Sequence, residues 1–181
     1  NWGYGHPILM FLYPFPSYIA SLFHTLGFSL VDSTKIVFGL AFLLSGLTMY
    51  LWIRNILGIH AGIVASILYM FAPYRFVDLY VRGAIGEHVA FVFPPLILYF
   101  LLKLLKIDHY YRYTSISLIV GGALSVAGLI LSHNAISLMF VPFILLYALY
   151  LQSTSKEYFG HLRGVVAMAL LGFGLSAFFW I

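Results

Sequence analysis

Between Ile36 and Ile181 the chain breaks into apolar runs of near-bilayer length, parted by short polar connectors. The runs are about 36–53, 56–72, 89–105, 114–132 and 135–151, with one more opening at about Gly164. A helix needs about 20 apolar residues to cross a hydrocarbon core. Backbone groups in lipid find no water, so segments of this kind must close their hydrogen bonds internally as helices. The expected fold is therefore all-α, a polytopic transmembrane helix bundle of about six spans. Composition agrees: 63% of the residues are hydrophobic and 8% charged, where a soluble domain is about half apolar. Aromatics reach 19% and gather at the ends of the runs, as an interfacial belt does. With no cysteine, disulfides and thiolate chemistry are excluded.

The first 35 residues read differently. Residues 1–16 carry Pro7, Pro14 and Pro16 among five aromatics, which makes a regular span unfavourable. Residues 17–30 predict a short juxtamembrane helix with Ser17 as its N-cap, too short to cross. Val31 to Lys35 reads as a polar turn, with Asp32 or Ser33 capping the first span. Pro94-Pro95 is expected to kink the third span near its start. Gly121, Gly122, Ser125, Ala127 and Gly128 let neighbours approach the fourth span closely, which makes it central. Residues 1–181 read as a single membrane domain, with 1–35 an external loop and 36–181 the bundle. Both ends read as cut from a longer polytopic protein.

Basic residues orient the bundle. Arg54, Lys103, Lys106, Arg112, Lys156 and Arg163 fall on one side with Asp108 and Glu157. Lys35, Arg75 and Arg82 fall on the other, balanced by Asp32, Asp78 and Glu87. The formal net charge of +4 thus belongs to the first face, which the positive-inside rule makes cytoplasmic in a plasma membrane. The charge is a topology signal and implies no nucleic-acid partner; membrane lipid is the partner to expect.

The polar residues with chemical potential gather on the opposite, external face. Pro73 to His88 places Arg75, Asp78, Arg82 and Glu87 within thirteen positions, with Tyr74, Tyr80 and His88 between them. On a helical turn Asp78 precedes Arg82 by four, the favourable order for an ion pair. Gly83 and Gly86 are expected to set Glu87 on a turn, off that ladder. Glu87 suits a general base or a ligand for a divalent cation, or a plain partner for Arg82. Arg75 and Arg82 present the donor fork that grips phosphate, or else snorkel and pair with Asp78. Ser132-His133-Asn134 reads as a minimal turn on the same side, where polar residues are costly unless satisfied. His6, His24 and Asp32 share that face. No zinc spacing, phosphate-binding glycine loop or nucleophile elbow is present.

Taken in order, Gly5-His6-Pro7, Ala72-Pro73-Tyr74-Arg75, Asp78-Leu79-Tyr80-Val81-Arg82-Gly83-Ala84, Glu87, the Pro94-Pro95 span and Ser132-His133-Asn134 carry a resemblance. They resemble the prokaryotic membrane proteins labelled 6-pyruvoyl-tetrahydropterin synthase-related, a label for a membrane domain that implies no pterin chemistry. That group in turn is similar to the C-type glycosyltransferases, multispan enzymes that take sugar from a polyprenyl-phosphate carrier outside the membrane. The resemblance implies an external site with Glu87 and Asp78 as catalytic carboxylates. It implies Arg75, Arg82, His88, His133, Asn134, His6 and Tyr80 as substrate-binding residues, with a divalent cation as possible cofactor. In that architecture a further acid on the first external loop would precede Asn1. A transporter or flippase of a lipid-linked polar molecule, and a non-catalytic envelope scaffold, remain alternative expectations.

Overall fold

The computed structural model describes residues 12–105, 112–154 and 162–179, with side chains in the second block from Ile116 onward. The described residues are about nine-tenths helical, with no strand among them. Helix α1 spans Pro14–Thr25 and α2 Leu30–Leu57. Helix α3 is Ile59–Met70 and α4 the single turn Pro73–Phe76, which runs into a π-helical segment, Val77–Arg82. Then come α5 (Ile85–Ala90), α6 (Phe93–Leu105), α7 (Arg112–Ser132), α8 (Asn134–Thr154) and α9 (Leu162–Leu175).

Among the described residues, three stretches are long and apolar enough to cross a membrane: Leu30–Leu57, Ile85–Leu105 and Asn134–Thr154. A fourth is α3 joined to Pro73–Arg82, bent by 43° at the break between them. Ile116–Ser132 and Leu162–Leu175 are apolar but shorter. The described residues thus form a helical bundle with three to four candidate spans.

The start of the bundle corrects three expectations. Helix α1 begins at Pro14, with Pro14 and Pro16 in its first turn, so Ser17 lies inside it and caps nothing. Proline suits that position because the first turn's N–H groups have no intrahelical partner. Val31 to Lys35 is helical rather than a turn. The cap of α2 is Ser29, whose Oγ accepts from the Asp32 N–H at 3.1 Å and donates to Asp32 Oδ2 at 2.7 Å. Asp32 closes the cap from inside the helix rather than forming it, and Ser33 is not the cap but donates from its N–H and its Oγ to the Ser29 carbonyl, at 2.9 and 2.8 Å.

The centre follows the small residues as expected. A methyl group at Gly121 would meet the Phe100 ring, one at Gly122 the Met168 side chain, and one at Gly128 the Phe93 ring. Helix α7 therefore receives α6 on one flank and α9 on the other. Ile97, Leu101, Leu102, Leu104 and Leu105 of α6 form half of the larger buried apolar cluster, with Leu129, Ile136 and Met168 among the rest.

Pro94-Pro95 also act as expected, by separating α5 from α6 at Phe91-Val92. The Phe91 carbonyl would normally be reached by the N–H three or four residues on. Both of those residues are proline and have none. The Tyr69 hydroxyl of α3 donates to that carbonyl at 2.8 Å and takes the missing place.

A buried charge cluster at the helix breaks

The break after α3, the start of α5 and the α7–α8 junction lie together. The approach is close at Gly86, where a methyl group would stand 2.8 Å from the Ser132 carbonyl oxygen and 3.1 Å from the Tyr13 ring. Gly83, with φ of +59°, makes the left-handed turn out of the π-helical segment. Between them these breaks bring six sequence-predicted residues into one cluster: Arg75, Asp78, Arg82, Glu87, His88 and His133.

Glu87 is the hub of its outer half. Arg82 clasps it in a fork, Nη2 to Oε1 at 2.6 Å and Nη1 to Oε2 at 2.8 Å. The Tyr74 hydroxyl donates to Oε2 at 2.7 Å and accepts from Arg82 Nη1 at 2.7 Å. His133 stands on the far side, its Nε2 3.7 Å from Oε1. Its Nδ1 accepts from the Ile136 N–H at 3.3 Å, capping α8. That bond puts the ring proton on Nε2, facing the carboxylate. Burial pushes the His133 imidazole below its ordinary range, against the pull of Glu87 and Asp78 upward. Glu87 sits in helix α5, not on a turn; Gly86 is helical with it. The pairing of Asp78 with Arg82 is present but long, at 3.7 Å, because the fork on Glu87 holds the guanidinium.

The inner half is sealed. Asp78 and His88 are fully buried and Arg75 is 3% exposed. Arg75 donates from Nη2 to Ser45 Oγ at 3.0 Å and lies over the Phe91 ring at 4.8 Å. The same Nη2 is 3.4 Å from His88 Nε2; an arginine can only donate, so that ring nitrogen is the acceptor. His88 then carries its proton on Nδ1, 3.7 Å from Asp78 Oδ2. Asp78 Oδ1 and Oδ2, His88 Nδ1 and Arg75 Nε and Nη1 make no hydrogen bond. Buried polar atoms are almost always paired, so a concentration of this kind marks a working site or internal water.

The two Arg candidates therefore part company. Arg82, its side chain 45% exposed, is the accessible cation of the two; Arg75 is enclosed. Tyr80 turns its ring onto Phe76, stacked at 6.2 Å, and is 77% exposed. Asn134 begins α8 beside His133 and is exposed. His6 lies outside the described residues. Among the described residues no three His, Asp or Glu side chains converge as a metal-binding group. Two members were missed from sequence. Tyr74 was visible beside Arg75 but carried no pattern of its own, and Ser45 sits thirty residues away inside an apolar run.

An all-helical bundle with apolar spans and a charge cluster buried at its helix breaks defines a membrane protein. Residues 9–181 match the model of the 6-pyruvoyl-tetrahydropterin synthase related domain, described as a membrane protein, and the chain belongs to that family. It is similar to an uncharacterized protein of Lactococcus lactis subsp. cremoris (strain MG1363), at 26% identity over 189 residues. That alignment covers 98% of this chain and 29% of the relative, so the chain spans less than a third of the relative's length. No solved structure matches.

Proposed function

We propose that the chain is part of a multi-pass plasma-membrane enzyme of glycosyltransferase type, taking sugar from a polyprenyl-phosphate carrier at the external face. In this reading the bundle carries six spans, with Arg54, Lys103–Arg112 and Lys156–Arg163 on the cytoplasmic side. The observation that supports it is the Arg82–Glu87 fork, with the Arg82 side chain 45% exposed. As it stands, Glu87 accepts from Arg82 and Tyr74 and is a poor base. A phosphate arriving at Arg82 offers the same fork of oxygens with more charge. It draws Arg82 away and frees Glu87 to take the acceptor's proton or to hold a divalent cation, while the His133 Nε2–H points at the same space. Substrate binding would thus create the base. The test is transfer from a lipid-linked sugar by Glu87→Gln: transfer should vanish while membrane insertion stays normal, and unchanged transfer removes Glu87 from the reaction.

A second reading, transport of a lipid-linked polar molecule, is favoured by Arg75, Asp78 and His88 buried beside a bent and π-helical segment. Ionisable side chains at broken helices within a bundle are a common build for translocation sites. Reconstituted vesicles separate the two: covalent transfer to an acceptor supports the enzyme, and movement of unmodified carrier across the bilayer supports the transporter.

A further inference from the structure

The Pro73–Arg82 segment is inside out. Of its three charged side chains Arg75 and Asp78 are 3% and 0% exposed, and only Arg82 at its end, forked onto Glu87, reaches the surface, whereas Phe76, Val77, Tyr80 and Val81 are 37%, 45%, 77% and 78% exposed. A loop in water shows the opposite pattern, polar residues outward and apolar ones inward. We propose that this segment is immersed in the bilayer, with Phe76, Val77, Tyr80 and Val81 against lipid acyl chains, rather than forming an aqueous loop.

The surface of α3 carries the same argument across the break. Leu68 is 67% exposed and Phe71 55%, and α3 with Pro73–Arg82 has the hydropathy of a single span despite its 43° bend. The Phe71 ring lies 5.9 Å from Phe76, which stacks on Tyr80 at 6.2 Å. One exposed aromatic ladder therefore runs from the C-terminal end of α3 onto the bent segment. Because the chain belongs to a membrane protein family and α3 is part of a candidate span, the exposed apolar side of α3 suits hydrocarbon, and the ladder extends the same surface. The polar backbone remains satisfied because helix and π-helix close their own hydrogen bonds, which lipid requires. The inference holds whether or not Glu87 takes part in any reaction.

Nitroxide labels report the surroundings directly. The chain has no cysteine of its own, so single cysteines at Tyr80, Val81 and, for comparison, Leu68 are introduced into the full-length protein, cleared of other cysteines, in phosphatidylcholine nanodiscs. Collisions with oxygen should exceed those with a water-soluble nickel chelate at Tyr80 and Val81, as at Leu68. The reverse order would mean water and would overturn the proposal. Immobilised labels shielded from both reagents would mean that other protein covers the face, and would overturn it equally. Tyr80→Trp provides a second readout without a label: in lipids brominated on their acyl chains it should lose more fluorescence than the parent, whose own tryptophans, three in this chain, set the background, and a loss no greater than the parent's counts against immersion.

Discussion

The buried half of the cluster sets a charge problem that single residues solve jointly. Arg75 and Asp78 are both enclosed, and His88 lies between them, its Nε2 toward Arg75 and its Nδ1 toward Asp78. Removing one charge from such a set strands the other, at a cost of about 3–5 kcal/mol, while removing both is much cheaper. Arg75→Met and Asp78→Asn should each lower the thermal midpoint in detergent. The double variant should recover part of the sum, and simple additivity would show that the two charges do not sense each other. His133 makes a pH prediction. Its folded-state proton affinity is held below the ordinary 6.5, chiefly by burial, so the unfolded chain takes up the proton first as pH falls. The stability associated with neutral His133 is therefore present above about pH 6.5 and is lost as pH drops through the folded value. In His133→Asn, which keeps a capping acceptor for α8, stability should fall less between pH 7 and pH 5 than in the parent. An identical slope would show that His133 does not titrate differently on unfolding.

At the level of elements, two close approaches hold the breaks in register. Gly86→Ala would press a methyl group to 2.8 Å from a backbone carbonyl that cannot rotate away. Overpacking of that kind costs about 1–3 kcal/mol, and a lowered midpoint with loss of the His133–Glu87 approach is expected. Tyr69→Phe should cost about 1–3 kcal/mol by orphaning the Phe91 carbonyl, read as a lowered midpoint in the same assay. The elements differ in how far sequence foretold them. The apolar runs, the glycines of α7 and the Pro94-Pro95 break were legible, because each acts within its own segment. The cap at Ser29 was missed because Ser33 and Asp32 offered equally good local signals and the choice rests on where the chain turns out of α1. The π-helical turn at Val77–Arg82 has no sequence code of its own. Six cluster members were recognised as residues. Which of them are exposed, and that Arg82 rather than Arg75 faces out, depends on packing among α2, α5 and the bent segment. No spacing rule contains that information.

Across the whole molecule, the gathering of Tyr13, Glu87 and His133 at one end of the bundle leaves the other end to Trp52 and Tyr147, joined by a 3.0 Å hydrogen bond from α2 to α8. The split of basic residues predicts which end faces the cell interior. A membrane-impermeant thiol reagent applied to intact cells should label Thr25→Cys and spare Thr154→Cys; the opposite labelling would reverse the assigned orientation. The Tyr69 bond to Phe91 also speaks to how relatives of this chain can vary. Pro95 and the hydroxyl of Tyr69 form a lock and key divided between two helices: the proline creates the vacancy that the tyrosine fills. In an alignment of the family, position 69 and positions 94–95 should therefore change together. A relative with phenylalanine at the first should have regained an N–H donor at the others, or should place a hydroxyl elsewhere within reach of the same carbonyl.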